Sequence, residues 1–286
     1  EYCKALDQHP EGYMRLKTMV SPFMLRRVKT DKKIISDLPE KLESVDYVTL
    51  TKKQVVLYRK AVADMEQKIA LTEGIQRSGI ILTTIMKLKQ ICNHPDQYLG
   101  QEAYAMEESG KLLLLKDICE TIYEKRERVI VFTQFKEITE YLAAFLEQVF
   151  GHKGYVLHGG TPVAKRGKIV EEFQGEKYVP FMVVSVKAGG TGLNLTKANH
   201  VIHFDRWWNP AVENQATDRA FRIGQKKNVV VHKLVCQGTI EEKIDAMIAS
   251  KKELAENVIG SGGEKWITEL NNEELMSMLR LELPKA

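Results

Sequence analysis

Two arginines, Arg219 and Arg222, are the side chains of this sequence best suited to chemistry. They are three residues apart in a segment that we predict to be helical, so both guanidinium groups would lie on one helix face and could reach one anionic target. Arginines so placed can stabilise the charge that develops on a transferring phosphoryl group. Such pairs are also common near helix ends, where they complement the helix dipole. The elements around the pair must decide between these two interpretations.

The segment before the arginines contains a loop suited to binding phosphate. An apolar strand, Val183 to Val186, runs into the glycine-rich loop Lys187 to Asn194, and a second apolar strand follows at His200 to Phe204. Glycine permits positive φ and takes up little space, so backbone N–H groups can approach a phosphate closely. An isolated loop of this composition is often only a tight turn. Here it follows a strand, and Thr191 and Asn194 add further donors.

The predicted arginine helix has recognisable ends. Asn209 can cap its first turn, Pro210 suits the first helical position, and Gly224 can adopt the left-handed conformation that ends a helix. This pattern predicts a helix that presents Arg219 and Arg222 near its C-terminus.

Beyond Gly110 the sequence alternates between helical and strand patterns. The predicted strands are Val129 to Thr133, Tyr155 to His158, Phe181 to Val186, His200 to Phe204 and Val229 to Val235. Strands separated by helices predict an α/β fold with an open, doubly wound, mostly parallel sheet and helices on both faces. Ligands of such sheets lie at the carboxyl ends of the strands. We therefore expect the loops after Thr133, His158, Val186 and Phe204 to share one functional edge.

The residues before Gly110 are predicted to be mainly helical. A strand at Glu43 to Leu50 precedes a helix that begins at Thr51, and a second helix covers about Ile80 to Cys92. A basic run lies further upstream and contains Arg26, Arg27, Lys29, Lys32 and Lys33. It is either a solvated linker or a segment that follows phosphates or joins two lobes. The acidic stretch 100–110 is the predicted domain boundary.

Composition sets the outer limits of what this chain can do. Its 286 residues are 44% hydrophobic and can bury a full core, and 42 basic against 38 acidic residues give a net charge of +4. Four widely spaced cysteines without a C-x-x-C pair predict reduced thiols and no metal site. No apolar stretch is long enough to span a membrane. The first residue is Glu1 rather than Met, and we expect a soluble fragment of a larger protein.

One element of a nucleotide hydrolase is missing from the sequence. The pattern G-x-x-x-x-G-K-[ST] does not occur, since Gly110-Lys111 and Gly167-Lys168 are followed by Leu112 and Ile169. No Asp-Glu pair ends a predicted strand to hold magnesium. If the chain belongs to a nucleotide hydrolase, it is the part without the phosphate-binding P-loop.

Several motifs together resemble the Swi/Snf-type chromatin-remodelling ATPases, a branch of helicase superfamily two. QATDRAFRIGQ is similar to the sixth helicase motif, and AGGTGLNL with FDRWWNP is similar to the fifth motif and its extension. PFMLRRVKTD, LPEKLE, LKQICNHP, ESGKL, VIVFTQF and LHGGT occur in the family's order, and GTIEEKI resembles the segment that braces the two lobes. The chain departs from the family pattern at Phe221 and at Arg206-Trp207. The resemblance runs from about Pro22 to beyond Gln225, and its joint occurrence is specific.

The resemblance implies a RecA-like second motor lobe and roles for individual residues. Arg219 and Arg222 would face ATP, which together with Mg²⁺ is bound mainly by a first lobe that this chain lacks. The other predicted site residues are Gln215, Gly189, Gly190 and Gly192 for the nucleotide, and Thr133, Gln134, His158, Gly159, Gly160, Lys187, Thr191, Asn194 and Trp208 for nucleic acid. The alternative for Trp208 is that it wedges its loop against the sheet.

The resemblance also implies partners and a division of the chain. Double-stranded DNA and the first RecA-like lobe of the same polypeptide are the expected partners, with a DNA-bound protein as a further substrate. The expected divisions are 1–39 as a joining segment, 40–105 as a helical subdomain, 106–238 as the motor lobe and 239–286 as brace helices. The expected location is the prokaryotic cytoplasm, or the nucleus in a eukaryote. The alternative function is a non-enzymatic RecA-like module that binds nucleic acid or protein.

Overall fold

A six-stranded sheet with every strand parallel to its neighbours organises the protein. The computed structural model describes residues 38–186, 192–255 and 265–282. The strands lie in the order β1-β6-β5-β2-β4-β3. They comprise Lys41–Val48 (β1), Val129–Thr133 (β2), Tyr155–Leu157 (β3), Phe181–Ser185 (β4), His200–His203 (β5) and Val229–Cys236 (β6). The predicted α/β, RecA-like fold is confirmed.

Helices connect the strands and extend beyond the sheet. The α-helices are Lys52–Ile69 (α1), Gly74–Asn93 (α2), Pro95–Leu99 (α3), Gly110–Glu124 (α4), Thr139–Phe150 (α5), Val163–Gln174 (α6), Pro210–Thr217 (α7), Ile240–Ala255 (α8) and Asn272–Leu279 (α9). Short 3₁₀ turns occur at Met106–Glu108 and Lys265–Glu269. In the part of the chain that the structure describes, no helix has the length and apolar character needed to cross a membrane.

Alternation along the strands builds a core on each face of the sheet. Ile130 and Phe132 face one core, which includes Phe173 of α6, whereas Val129 and Val131 face the other, which includes helices α4 and α5. Both faces are covered, so the central strands are apolar on both sides, as expected of a parallel sheet. Burying each large apolar side chain stabilises the fold by about 1.5–3 kcal/mol relative to exposure.

A third core joins the N-terminal helices to the C-terminal ones. Tyr58 of α1, Ile85 of α2, Ile244 of α8 and Leu275 of α9 are buried in the same cluster. The Tyr58 hydroxyl accepts a hydrogen bond from the Ile240 amide at 2.9 Å, at the start of α8. Helices α1 to α3, called the helical subdomain below, and helices α8 and α9, called the brace helices below, therefore form one packed unit, although they are far apart in the sequence.

Two details of the N-terminal region differ from the sequence-based expectation. The first strand does not belong with the helices that follow it, because β1 pairs with β6 along its whole length at the edge of the sheet. The second helix is longer than expected and begins at Gly74. The start of α1 matches the prediction, since Thr51 forms a capping box with Gln54. The basic run 26–33 lies outside the described residues.

Candidate functional site

The carboxyl ends of four strands meet at one edge of the sheet. Strand β2 lies between β4 and β5, so the chain crosses from one side of β2 to the other as it passes from β4 to β5. Crevices form at such a reversal in parallel sheets, and ligands occupy them. The loops after Thr133, His158, Val186 and Phe204 follow these strand ends, as the sequence predicted.

Thr133 has a different position from the one expected of a phosphate ligand. Its side chain is completely buried, and its hydroxyl donates a hydrogen bond of 2.5 Å to Asp205 Oδ2. The other carboxylate oxygen, Asp205 Oδ1, accepts the Gln134 amide at 2.9 Å. Thr133 is therefore revised from a surface contact to a residue that orders the start of the loop after β2. The neighbouring carboxylate was not recognised in the sequence.

The Gln134 side chain is held in place by a buried lysine. Its Oε1 accepts a hydrogen bond from Lys89 Nζ at 3.0 Å, and Lys89 of α2 is fully buried. Its Nε2 is buried and has no hydrogen-bond partner among the described residues. A buried donor without a partner costs about 1–3 kcal/mol, so this N–H group would gain from donating to a ligand oxygen. Gln134 remains a candidate contact.

Asp205 is the centre of a buried polar cluster between the sheet and the helical subdomain. Asn93 of α2 donates to Asp205 Oδ2 at 3.3 Å, in addition to the bonds from Thr133 and Gln134. Burial raises the pKa of Asp205, and the positive charges of Lys89 and Lys111 oppose this shift only in part. Paired cations and hydrogen-bond donors are what make a buried carboxylate tolerable. The cluster therefore ties the loop after β2 to α2.

The loop after β3 presents its backbone to solvent in a defined shape. His158 Nδ1 accepts the Gly160 amide at 3.0 Å, and the Thr161 hydroxyl accepts the His158 amide at 3.1 Å. Arg166 of α6 donates to the carbonyl oxygens of Thr161 and Gly159, at 2.9 and 3.1 Å. Gly159 and Gly160 are exposed. The loop thus holds an open, cationic surface that could receive a phosphate.

Lys136 is a further cation at this loop. It is exposed, and its Nζ would be 3.3 Å from a Cβ added at Gly160, so the ammonium group lies directly beside that glycine. Sequence reasoning missed both Lys136 and Arg166. The available signal was a basic residue close to each of two predicted edge loops.

The glycine-rich loop after β4 is only partly described. Lys187, Gly189, Gly190 and Thr191 lie outside the described residues. Gly192 is exposed with φ of +61°, a left-handed conformation that favours glycine, and Asn194 is exposed as well. The described end of the loop therefore has the open backbone that a phosphate contact requires.

Residues 218–224, which contain the two arginines and are called the arginine segment below, differ from the predicted helix. Asn209 caps α7 as predicted, through a hydrogen bond from the Ala211 amide at 2.9 Å, and Pro210 occupies the first turn. The helix ends at Thr217, so Arg219 and Arg222 lie beyond it in successive turns, and the prediction of one shared helix face is wrong. Gly224 does have positive φ, at +100°, but it ends this turn region rather than the helix.

Neighbouring groups explain the early end of α7. The Arg219 carbonyl accepts the Leu195 amide at 2.9 Å, and the Ala220 carbonyl accepts the Gln225 side chain at 3.2 Å. These carbonyl groups are directed toward the loop after β4 and toward Gln225 instead of along a helix axis. The arginine segment is consequently held against the loop that contains Gly192 and Asn194.

The two arginines differ in exposure. Arg222 is exposed, whereas Arg219 is partly buried and its Nε has no hydrogen-bond partner among the described residues. Gln215, on α7, is exposed. The exposed Arg222 guanidinium can therefore reach an anion, and Arg219 Nε is a donor that no group in the described residues satisfies.

Trp208 is buried in the structure. Its side chain is 5% exposed and packs in the core of the helical subdomain, with Lys89 Nζ 6.0 Å from the ring centroid. The tryptophan thus packs as the alternative expected, but against the helical subdomain and not against the sheet. The prediction of a nucleic-acid contact by Trp208 is revised accordingly.

Two clusters of potential metal ligands occur among the described residues. One contains Cys92, Cys236 and Glu241, and the other contains His94, Asp96 and Glu108. Glu241 already pairs with Lys111 at 2.7 Å, and Lys53 pairs with Glu108 at 2.6 Å. These acidic groups are therefore accounted for as ion pairs.

Comparisons with known proteins agree with the fold. Residues 110–224 match the helicase conserved C-terminal domain, and residues 2–97 match the SNF2-related domain. The structure resembles the Sulfolobus solfataricus SWI2/SNF2 ATPase C-terminal domain with a TM-score of 0.74 and 40% identity, covering 85% of this chain and 100% of that one. A RecA-like sheet with this set of edge loops defines the C-terminal lobe of a superfamily-two helicase. More particularly, the chain belongs to the SWI2/SNF2 ATPase family.

Relatives of greater length show how much of such proteins the chain represents. The S. solfataricus SWI2/SNF2 ATPase core in complex with dsDNA has a TM-score of 0.77 and 42% identity, covering 94% of this chain and 56% of that chain. The putative ATP-dependent helicase/translocase YwqA of Bacillus subtilis is 45% identical over 277 residues, which are 96% of this chain and 30% of the relative. The DNA excision repair protein ERCC-6 of Mus musculus is 31% identical, and the match covers 19% of it. The chain thus spans less than a third of these two curated relatives.

Proposed function

We propose that the chain is the second motor lobe of an ATP-dependent translocase or remodeller of double-stranded DNA. In this proposal Arg219 and Arg222 extend toward ATP and Mg²⁺ that are held mainly by the first RecA-like lobe of the same polypeptide. The observation that carries the proposal is the backbone hydrogen bond from the Leu195 amide to the Arg219 carbonyl at 2.9 Å, which joins the arginine segment to the end of the glycine loop. Arg222 is exposed, and Arg219 Nε has no hydrogen-bond partner among the described residues. Gln215, Gly189, Gly190 and Gly192 complete the nucleotide-facing surface.

The arginines act on charge that forms during the reaction. As the bond to the γ-phosphate breaks, negative charge spreads over the phosphoryl oxygens, and guanidinium donors that are already in place stabilise it without reorganisation. The chain itself lacks a P-loop lysine for the β- and γ-phosphates. It is therefore inactive as an ATPase without the first lobe.

Replacing Arg222 tests this assignment. In the polypeptide that carries both lobes, Arg222→Ala should lower kcat by roughly 10³ or more and leave ATP affinity nearly unchanged. Arg219→Ala should behave similarly, and the double variant should be little slower than either single one if both act on the same phosphoryl group. Steady-state ATPase assays at saturating DNA, with a melting curve for each variant, provide the measurement.

Lys226→Ala is the matched control for these variants. Lys226 is an exposed cation just beyond Gly224, and its loss should leave kcat within about two-fold of the unmodified protein. A near-normal kcat for Arg222→Ala would show that the arginine segment does not face the reacting phosphate.

We propose that the loops after β2, β3 and β4 contact the DNA backbone. The contacts would come from Gln134, His158, Gly159, Gly160 and Asn194, with Lys187 and Thr191 from outside the described residues. Lys136 joins this set because its ammonium group lies beside Gly160. Contacts to phosphates position a protein on DNA without reading its sequence.

Binding by the chain should therefore be weak, nearly independent of sequence, and strongly dependent on salt. Fluorescence titrations with duplex DNA over a series of salt concentrations measure this dependence. Lys136→Ala should reduce the slope of log K against log salt by about one. Lys177→Ala, in the loop before β4 at the opposite edge of the sheet, should not change it. A strong preference for one sequence with little response to salt would contradict the proposal.

A further inference from the structure

Arg206 is among the largest fully buried side chains of the described residues, although it carries a permanent charge. It lies three residues after the end of β5. Removing a guanidinium group from water costs several kcal/mol unless charged partners compensate. Its partners therefore indicate what this burial achieves.

Two carboxylates from different helices surround Arg206. Its Nε donates a hydrogen bond to Glu213 Oε1 at 3.0 Å, and its Nη1 forms an ion pair with Asp245 Oδ1 at 2.6 Å without the geometry of a hydrogen bond. Glu213 belongs to α7, and Asp245 belongs to the brace helix α8. The Trp207 backbone amide also donates to Glu213 Oε1, at 2.8 Å. The same carboxylate oxygen therefore accepts hydrogen bonds from the Arg206 side chain and from the backbone of the next residue.

Helix α7 leads directly into the arginine segment. Its other end is fixed by the hydrogen bond between Thr217 Oγ1 and His203 Nε2 at 2.9 Å. Both attachments, at Glu213 and at Thr217, are made to residues in or directly after β5. A planar guanidinium with donors in a fixed fork restricts the direction of its partners more than an ammonium would. The position of Arg219 and Arg222 therefore depends on where Arg206 places α7.

The second carboxylate extends this dependence to the brace. Asp245 is partly exposed, with 17% of its side chain accessible, and Arg206 is the group that links it to Glu213. A displacement of α8 would change the ion pair that also positions α7. This buried cation thus lies between the brace helix and the arginine segment.

We propose that Arg206 is a positioning residue for phosphoryl transfer, which sets the arginine segment according to the placement of α8. The inference rests on the proposed function of Arg219 and Arg222. It assigns to Arg206 no contact with ATP or DNA. Loss of the hydrogen bond to Glu213 and of the ion pair with Asp245 should lower kcat while leaving the affinities for ATP and DNA largely unchanged.

A buried ion pair that serves stability alone would behave differently. Replacing all members of such a pair by apolar residues of similar volume is often neutral or stabilising, whereas a positioning role needs the directional fork. The variant Arg206→Met/Glu213→Leu/Asp245→Leu should accordingly be folded and stable but slow. Asp245→Asn breaks only the arm to α8, and Arg206→Lys keeps the charge without the fork.

The test uses the polypeptide with both lobes and compares kcat, KM for ATP, DNA affinity and melting temperature. We expect Arg206→Lys and the apolar triple variant to lose about ten-fold or more in kcat, and Asp245→Asn to lose less, with KM and DNA affinity within about two-fold. Arg77→Lys is the control, because Arg77 also joins two elements, through Thr268 and Leu270 carbonyls, but does not contact α7 in the described residues. It should not change kcat.

A wild-type kcat in a stable apolar triple variant, or in Asp245→Asn, would show that Arg206 forms only a structural ion pair. Arg222→Ala is assayed in parallel. If Arg222→Ala also keeps its kcat, the proposed function fails together with the inference. If Arg222→Ala is inactive while the Arg206 variants are not, only the inference fails. Should Arg206→Lys not fold, Asp245→Asn and the triple variant still decide.

Discussion

His203 illustrates at the scale of one residue how burial changes chemistry. Its ring is buried at the end of β5 and stacks on Phe132 with centroids 5.6 Å apart. Burial lowers the pKa of His203 to about 3, and the charges of Lys233 and Arg206 act in the same direction. The folded protein therefore keeps this imidazole neutral at pH values where the unfolded chain protonates it.

This shift predicts a dependence of stability on pH. Because the folded pKa is depressed, the contribution of His203 is fully present above the unfolded pKa of about 6.5 and is lost as the pH falls toward 3. Within that window each pH unit costs up to about 1.4 kcal/mol. His203→Gln should flatten the dependence, as measured by urea unfolding between about pH 4 and 7. His152→Gln, at an exposed position, serves as the control. An unchanged slope in His203→Gln would contradict the assignment.

Several site residues could be predicted because their types and order are local properties. The glycine loops, the Asn209-Pro210 start of α7 and the two arginines are of this kind. Burial of Thr133 could not be predicted, because it depends on Asp205 and α2, which are distant in the sequence. For Trp208 the sequence left packing and DNA contact open as alternatives, because α2 is distant in the sequence here as well. The roles of Lys89 and Arg206 could not be predicted either, because only the fold shows that Gln134, Glu213 and Asp245 are their partners.

At the scale of elements, Lys111 joins α4 to the brace helix α8. It is fully buried, and its Nζ donates to Glu241 Oε1 at 2.7 Å, to the Phe204 carbonyl at 2.8 Å and to Asn93 Oδ1 at 3.1 Å. Burial by itself would lower the pKa of Lys111, but Glu241 and nearby groups outweigh it, and the pKa is raised. One ammonium group thus connects the sheet, the helical subdomain and the brace.

Breaking this connection should be strongly destabilising. Lys111→Met leaves the Glu241 carboxylate buried without its cation, and we expect a loss of about 3–5 kcal/mol in the free energy of unfolding. Adding Glu241→Gln removes that charge and keeps an acceptor for the Cys236 amide, so the double variant should recover part of the loss. Lys116→Met breaks an exposed pair on the same helix and should cost less than about 1 kcal/mol. Equal losses for Lys111→Met and the double variant would contradict this account.

The elements themselves were mostly predictable, with instructive exceptions. Unbroken apolar runs such as Val129 to Thr133 predict buried parallel strands, because both faces of that sheet are covered. The C-terminus of α7 was placed too late, since helix-forming residues continue past Thr217 while tertiary hydrogen bonds redirect the carbonyl groups. The position of β1 depends on pairing with β6, which is almost 190 residues away along the chain.

At the scale of the whole molecule, the sheet and the helical subdomain have separate cores that polar clusters connect. Asp205 ties the edge loops to α2, Arg206 ties α7 to α8, and Lys111 ties α4 to α8. The two charged residues that follow Phe204 therefore contact different parts of the molecule. Asp205 contacts the loop at the proposed DNA edge, and Arg206 contacts the helix that leads into the arginine segment.

We propose above all that this chain supplies arginines to an active site that another lobe must complete. The most direct measurement is DNA-stimulated phosphate release by the 286-residue chain alone, compared with the same chain joined to its first lobe. We expect no release above background for the chain alone, because it lacks the P-loop lysine, and turnover for the joined protein. ATP hydrolysis by the isolated chain that persists through further purification would contradict it.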